Sequence, residues 1–371
     1  MKDSKHLEFM SRAIQLAKRG QYTTHPNPRV GCVLVKNGQV IAEGYHQRPG
    51  EGHAEVNALK IAAETAKGST VYVTLEPCSH TGKTPPCANA LIEAGVSNVI
   101  VAMQDPNPQV SGSGISALKK AGINVTSGIL EEQARALNPG FINRMEHGLP
   151  FVRVKMATSL DGRTALASGE SKWITGVAAR QDVQYWRAKS SAILTGIGTI
   201  LADDPSLTVR LSASELDIKG EVRQPLRVIL DSQLKCPVNA KLLSLPGRTL
   251  IYTQSISTKA IQALESAGAE VVRIEQAGLN GNLSLTTVLQ DLAKREVNEI
   301  HTEAGAKLCG SLIQEGLSSE LLLYMAPHIL GSDGLGAFHL PQLKTMQHRI
   351  KLSIKDMRAI GDDWRIIASL T

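Results

Sequence analysis

Three short pieces of the N-terminal third hold side chains that can do hydrolytic chemistry together. His53-Ala54-Glu55 stands at the start of a helical pattern, and Pro77-Cys78 and Pro86-Cys87 follow a strand pattern over 70–75. One imidazole and two thiolates form a three-ligand set for a tetrahedral zinc that keeps its fourth position for water. Residues two apart on a helix do not share a face, so His53 reads as a ligand and Glu55 as the carboxylate that reaches the water and moves its protons. Such a set removes amino groups from heteroaromatic rings by hydrolysis. Cys87 opens a helical pattern after Pro85-Pro86, and a helix N-terminus lowers a thiol's pKa toward the thiolate that a metal needs. Taken singly, these are a surface histidine, two buried thiols and a solvated helix charge; order and spacing join them.

These residues need a frame. The first twenty residues form an amphipathic helix with Leu7, Met10, Ile14 and Ala17 on one face. Strands over 30–35 and 39–43 flank Lys36-Asn37-Gly38, a strong hairpin signal. A helix over 53–66, a strand over 70–75, a helix over 87–94 closed by Gly95, a strand over 98–103, a helix over 115–121 and a strand over 123–126 follow. This alternation predicts a three-layer α/β/α unit with a mixed sheet between helices. Pro139-Gly140 and Gly148-Leu149-Pro150 punctuate a boundary within 138–150, which divides the chain into 1–146 and 147–371. The second part is again α/β: a buried strand over 151–157, then strands at 192–195, 227–230, 250–252, 270–273 and 299–302, with helices around 178–189, 259–266, 285–294 and 305–315. Strand patterns at 320–326, 349–354 and 364–368 have no helix between them, so an antiparallel sheet edge is expected. Residues 212–224 read as a polar surface excursion.

A chain of 371 residues exceeds one ordinary core, which agrees with two units. Aromatic residues are only 4%, so the core must come from Ala, Val, Ile and Leu. The net charge of +6 suits anionic small molecules such as phosphate esters and dinucleotides. There is no basic block and little aromatic surface for base stacking, so nucleic acid is not an expected partner. Five cysteines, an odd count in a long chain, argue against a disulfide framework, and Cys32, Cys236 and Cys309 read as packing. The charged first twenty residues are no secretory signal, and no apolar run reaches membrane-spanning length. The expectation is a cytoplasmic enzyme without membrane contact, assembled as a homodimer or larger homo-oligomer.

The zinc motif resembles that of the cytidine-deaminase-like zinc enzymes, with one departure. Eight residues separate Cys78 from Cys87, where the common form has two. That insert, the run Thr74-Leu75-Glu76-Pro77-Cys78-Ser79-His80, and the pieces Pro26-Asn27-Pro28-Arg29-Val30-Gly31 and Gln104-Asp105-Pro106-Asn107-Pro108 resemble the bifunctional deaminase/reductase family of riboflavin biosynthesis. The resemblance implies zinc on His53, Cys78 and Cys87. It implies a diamino-phosphoribosylaminopyrimidine substrate, hydrolytically deaminated at the C2 amino group to an amino-phosphoribosylaminouracil. Glu55 would pass the water's proton to the departing ammonia, Asn27 would bond the pyrimidine, and His46, His80 and Lys83 would meet the ribose phosphate.

No G-x-G-x-x-G follows a first strand in the second part, so a Rossmann site is not indicated. The run from Val154 to Arg163, the run from Ser168 to Thr175, the run from Leu201 to Arg210, Glu303-Ala304-Gly305 and Leu330-Gly331 resemble the reductase half of the same family, which shares the dihydrofolate-reductase fold. Two small-residue strand-to-helix turns, Thr195-Gly196-Ile197-Gly198-Thr199 and Glu303-Ala304-Gly305-Ala306, can bring backbone N–H groups to a pyrophosphate. The resemblance implies NADPH on Ala157, Trp173, Thr199, Asp203, Ser232 and the run Gly305-Ala306-Lys307-Leu308-Cys309-Gly310-Ser311. It implies substrate on Ser171, Arg187, Leu207, Arg210 and Glu303, the two arginines being suited to fork a phosphate. The implied step is hydride transfer to C1 of the open-chain ribose, giving a ribityl side chain; no residue stands out as its general acid. Two rival readings are a nucleotide or tRNA deaminase fused to an unrelated NADPH-binding unit, and a non-catalytic RNA-binding or regulatory protein with a structural zinc. The long insert and the joint presence of both halves speak against the first. Three ligands rather than four, with Glu55 beside them, speak against the second.

Overall fold

The computed structural model describes residues 2–79, 86–278 and 281–370. The chain falls into two compact units, Met1–Gly148 and Leu149–Thr371.

The first unit opens with helix α1 (Lys2–Lys18) and the hairpin strands β1 (Gly31–Lys36) and β2 (Gln39–Tyr45). Asn37 and Gly38 both take positive φ, 53° and 77°, as a two-residue hairpin of matching twist requires. Then come α2 (Ala54–Ala62), β3 (Thr70–Val73), α3 (Cys87–Glu93), β4 (Asn98–Val101), α4 (Ser113–Lys120), β5 (Asn124–Ser127), α5 (Glu131–Leu137) and α6 (Pro139–His147). One sheet runs β2-β1-β3-β4-β5. Strand β1 is antiparallel to both its neighbours, and β3, β4 and β5 are parallel. Along β1 the side chains alternate between two apolar layers. Val33 and Val35 join Met10, Ile14, Tyr72 and Phe141 on one side. Cys32 and Leu34 join Ala54, Ala58, Val71 and Leu118 on the other. With few aromatics to fill space, backbones approach closely: a Cβ on Gly31 would stand 2.0 Å from the Ala13 carbonyl oxygen.

Two expectations for this unit are corrected. The helix over 53–66 is not continuous, because Ala63 takes φ of 46° and a short 3-10 turn, Ala63–Ala66, follows α2. The stretch 138–150 is not only a punctuated boundary, because most of it is α6. Pro139 occupies the helix start, where its missing N–H costs nothing, and Phe141 and Ile142 enter the core. Asn138 is buried and bonds the Arg29 backbone in both directions, at 2.7 and 2.9 Å.

The second unit contains β6 (Phe151–Ser159), β7 (Arg163–Ala165), α7 (Val177–Lys189), β8 (Ala192–Gly196), α8 (Ile197–Asp203), β9 (Leu226–Leu230), β10 (Thr249–Thr253), α9 (Thr258–Ser266) and β11 (Ala269–Arg273). It continues with α10 (Leu285–Lys294), β12 (Glu299–Glu303), α11 (Ala306–Gln314), β13 (Glu320–Ala326), β14 (Leu335–Gly336), β15 (Leu352–Ile360) and β16 (Asp363–Leu370). Nine strands make one sheet in the order β11-β10-β9-β8-β12-β6-β13-β16-β15. It is parallel from β11 to β13 and antiparallel through β16 and β15, as the lack of a helical crossover there requires. Strands β7 and β14 form a small separate pair, too short to leave a pattern in the sequence. The 212–224 stretch carries no regular element, yet it is pinned: Leu216 is buried, and the Gln224 amide bonds the Val209 backbone in both directions, at 2.8 and 3.2 Å. Among the described residues no helix is long and apolar enough to cross a membrane.

Gly31→Ala is expected to destabilise the first unit by about 1–3 kcal/mol, because α1 must lift off β1 to admit the methyl group. Denaturant unfolding checks this; an unchanged midpoint would show that α1 can shift without loss.

Candidate functional site

Helix α2 carries His53 immediately before its first turn and Glu55 within it. It lies deep against the sheet because Gly44 on β2 has no side chain; a Cβ there would stand 2.4 Å from Ala54 O and 2.5 Å from Ala58 N. Cys78 lies beyond the end of β3, and Cys87 begins α3 after Pro86. The ligand atoms of His53, Cys78 and Cys87 lie within 4.8 Å of one another. His53 Nδ1 is 3.6 Å from Cys78 Sγ and 3.3 Å from Cys87 Sγ. Ligand bonds of about 2.0 Å to nitrogen and 2.3 Å to sulfur in a tetrahedron place such atoms about 3.5 Å apart. The three donors therefore fit zinc as they stand.

The start of helix α3 also reaches Cys78. Its first N–H, that of Cys87, donates to Cys78 Sγ at 3.3 Å. Contact with Cys87 and His53 holds the Cys78 thiol below the ordinary cysteine value, while contact with Cys78 and burial push Cys87 above it. Glu55 is 3% exposed. Burial, helped by the neighbouring Cys78 charge, raises its carboxyl to about 7, a value from which a group both takes and gives a proton near neutrality.

Asn27 and His46 stand beside this cluster. The Asn27 amide donates to His46 Nε2 at 3.0 Å, and His46 Nδ1 faces Gly52 O at 3.3 Å. The His46 and His53 rings meet edge to face at 5.3 Å. Burial lowers the His46 pKa, so the ring is neutral with both nitrogens engaged. The ring expected to meet the ribose phosphate is thus in contact with Asn27. His80 and Lys83 lie outside the described residues.

Two residues here escaped the sequence reading. The buried Glu76 carboxylate accepts the backbone N–H groups of Asp105, Gly112 and Ile115 at 3.2, 2.9 and 3.1 Å. A Cβ on Gly114 would stand 1.9 Å from Pro77 O. The residues leading into Cys78 are thus fastened to the start of α4. Glu76 was visible as part of a motif; nothing local marks Gly114.

In the second unit, Glu303 ends β12 and meets Arg187 of α7. The guanidinium forks the carboxylate at 2.6 and 2.8 Å, and its third nitrogen donates to Thr208 O at 2.9 Å. Burial pushes the Glu303 carboxyl up, but the charge and hydrogen bonds of Arg187 overcome this and hold it well below the usual range. In this structure Glu303 thus occupies the Arg187 fork that was expected to meet the substrate phosphate. Among the described residues no hydrogen bond or ion pair engages the Arg210 guanidinium. Burial and the Arg187 charge lower its pKa, which places it in the same cluster. Lys155, missed as an individual residue, pairs in register with Glu303, and burial lowers its pKa despite that carboxylate. Ala157 lies on the same face of β6, two residues on.

Helix α11 follows Gly305, and no side chain caps it. A Cβ on Gly305 would meet nothing within 4 Å, so the first-turn N–H groups of Ala306, Lys307 and Leu308 have room for an anionic group. Cys309 and Gly310 do not face that space. Cys309 is buried with Sγ 3.3 Å from Ala304 O, and Gly310 packs on the His339 backbone. They shape the helix rather than offer side chains, and Ser311 is half-buried a turn beyond. Leu207 is likewise core, 2% exposed among Ile193 and Ile200, with φ of 47°. Trp173 is 69% exposed, with the Arg180 guanidinium 4.6 Å from its ring centre. Asp203, at the end of α8 beyond Thr199, pairs with Lys172 at 3.0 Å. Ser171 is exposed, and the Ser232 carbonyl is taken by Gln254 and Thr253. Asp161 accepts Ser159 Oγ and the N–H groups of Leu330 and Gly331 at 2.5, 3.1 and 2.8 Å, which ties the β6–β7 turn to the segment before β14.

Comparisons with known proteins agree with both halves. A family profile described as the cytidine and deoxycytidylate deaminase zinc-binding region matches residues 3–103, and one described as the RibD C-terminal domain matches residues 150–366. The riboflavin biosynthesis protein RibD of Escherichia coli is 48% identical over 363 residues, covering 96% of each chain. That of Haemophilus influenzae is 48% identical over 363 residues, covering 96% of this chain and 95% of its own. The solved structure of Acinetobacter baumannii RibD superposes with a TM-score of 0.91 at 44% identity and full coverage of both chains. A diaminohydroxyphosphoribosylaminopyrimidine deaminase/5-amino-6-(5-phosphoribosylamino)uracil reductase from Thermotoga maritima gives 0.86 at 32% identity, again over the whole of both chains.

Gly114→Ala is expected to weaken zinc binding about 10- to 100-fold, as disturbed outer-shell partners do, by displacing Pro77 and with it Cys78. Competition with a chromophoric chelator reads this directly. Unaltered competition would mean that Cys78 is held by other contacts.

Proposed function

We propose the following division of labour for this chain, which belongs to the RibD family of bifunctional deaminase/reductases of riboflavin biosynthesis. The first unit deaminates diaminohydroxyphosphoribosylaminopyrimidine, and the second reduces the resulting 5-amino-6-(5-phosphoribosylamino)uracil at its ribosyl side chain with NADPH. The observation that carries the first half is the His53, Cys78 and Cys87 triangle of zinc dimensions with the buried Glu55 at its side. Zinc held there supplies an electrophilic centre that activates water for attack on the ring carbon. Glu55 accepts the water's proton on its carboxylate and delivers it to the departing amino nitrogen. Asn27, fixed by His46, leaves its side-chain carbonyl to accept from the pyrimidine. His80 and Lys83 are proposed to meet the ribose phosphate.

In the second unit, bound NADPH supplies the hydride. The N–H groups of Ala306, Lys307 and Leu308 after Gly305 are suited to its pyrophosphate, and Ala157, Trp173, Thr199, Asp203 and Ser232 are proposed around the rest of it. Arg210 is the guanidinium open to the substrate phosphate. Arg187 can join it by exchanging the Glu303 carboxylate for that phosphate, since the planar guanidinium forks two oxygens of either anion. Glu303 then turns to the ribose, with Ser171 and the Leu207 backbone proposed along the same substrate. Orientation of C1 against the hydride donor carries much of the rate.

Ammonia release from the diamino substrate, followed with NADPH oxidation and with and without a zinc chelator, tests the reading as a whole. Full zinc occupancy without ammonia release would refute it. Glu55→Gln is expected to keep zinc, lower deamination about 10²- to 10⁴-fold, and leave NADPH oxidation on pre-deaminated substrate intact. Surviving deamination would remove Glu55 from proton transfer. Arg210→Ala is expected to raise the reductase KM about tenfold or more, the value of a charged hydrogen bond, with deamination unchanged. An unaltered KM would take Arg210 out of the phosphate site.

A further inference from the structure

We propose that His301 is a positioning residue of the reductase site, holding the Glu303 carboxylate from the interior of the sheet when Arg187 releases it. This rests on the reading above that places Glu303 against the substrate. His301 lies on β12 two residues before Glu303, so the two side chains share a face. Across the sheet it registers with Arg153, as Glu303 does with Lys155. Its side chain is 0% exposed, and Nε2 stands 3.5 Å from Glu303 Oε1. Among the described residues, neither ring nitrogen has a hydrogen-bond partner.

A buried imidazole with both nitrogens unmet costs stability that a phenyl or isobutyl group of similar bulk would not. Buried unsatisfied groups in a folded protein call for an account, and functional sites are where they gather. The charges that reach His301 are Glu303 on its own strand, Arg153 and Lys155 from β6, and Arg187 from α7; on the β8 side its neighbour in register is Ile193. Burial and the three cations outweigh Glu303 and lower the ring's pKa to about 3. The ring is therefore neutral at working pH and has one N–H to donate. It adds no charge to compete with Arg187 for Glu303.

Both Glu303 oxygens are forked by Arg187 as the structure stands. A substrate phosphate that draws Arg187 away strips the carboxylate of both donors at once. His301 Nε2, already 3.5 Å from Oε1, then closes to a hydrogen bond in the tautomer that carries its proton there, as contacts at reacting sites commonly tighten on substrate binding. Glu303 is thereby kept in place and oriented toward the ribose.

The test is steady-state NADPH oxidation by the full-length protein on pre-deaminated substrate. His301→Phe keeps the bulk and removes the donor. It is expected to lower kcat about five- to tenfold, to leave the KM for NADPH unchanged, and to leave thermal unfolding unchanged or raised. His301→Gln returns an N–H and is expected to recover most of kcat. Should the phenylalanine variant not fold, His301→Leu against His301→Gln gives the same contrast. Wild-type kcat in the Phe or Leu variant overturns the proposal, as does equal loss of kcat in the donor and non-donor variants. Glu303→Gln separates the two layers of argument. If it is impaired while His301→Phe is not, only the role of His301 falls; if it is itself unaffected, the placement of Glu303 at the substrate falls with it.

Discussion

The metal centre depends on backbones being able to touch. Helix α2 reaches the depth of the sheet only where Gly44 leaves room, α1 lies on β1 across Gly31, and the approach to Cys78 leans on α4 across Gly114. At the first two the approach is backbone on backbone, and at the third the Glu76 carboxylate adds its own bonds to α4. A chain with 4% aromatic residues packs with small side chains, and small side chains leave little slack. Dense, nearly void-free packing transmits displacement rather than absorbing it. His53, Cys78 and Cys87 sit in three different segments, and the closeness of the two His53–sulfur distances to zinc geometry follows from that stiffness. Glu55 profits from the same depth, since it is burial that moves its carboxyl toward neutrality.

The second unit solves a different problem. Between α7 and the sheet, charge lies beside a small apolar cluster of Ala179, Val183, Leu322 and Tyr324. Arg153 stacks 4.5 Å from the Trp186 ring centre and pairs with Glu320; Asp182 receives Tyr324 and Arg365; Arg187 closes on Glu303. Charges removed from water are tolerated when each has a partner, and taking one member away leaves the other uncompensated. The layer therefore behaves as a set, and Glu303 and Arg187, proposed at the substrate, are drawn from the same stock as its structural members. Strand alternation puts them on one face, and the helix above decides which of them find partners.

Much of this was legible in the sequence, for identifiable reasons. The zinc ligands and Glu55 are few, chemically distinctive and close in sequence, so type and spacing suffice. The Asn37-Gly38 turn and the helix-free tail after β13 announced themselves through backbone chemistry and connectivity. What stayed hidden depends on contacts far along the chain. Pro139 reads equally as a breaker and as a first helical residue until Phe141 and Ile142 are known to face a core. Arg187 reads as an open fork until Glu303, 116 residues away, is seen to fill it. Gly114 and His301 carry no local signal: one matters through the carbonyl of Pro77, the other through a carboxylate two positions on and cations from two other elements. The run Gly305–Ser311, proposed for the cofactor, does open a helix, but only the structure divides its open first turn from the buried Cys309 and Gly310.

Strand order in the second sheet also sets a timetable. Every strand of the first unit has its sheet neighbours in hand once Ser127 has been synthesised. Strand β6 leads the second unit out of the ribosome, yet its partners β12 and β13 begin only at Glu299 and Glu320. Val152, Val154 and Met156, all buried in the finished sheet, are made long before anything exists to cover them. Pairings of such sequence separation are slow to form, and apolar strands that wait are prone to wrong partners. The deaminase half can thus be complete while the reductase half still lacks the centre of its sheet, and any shortage of folding assistance falls on the reductase first.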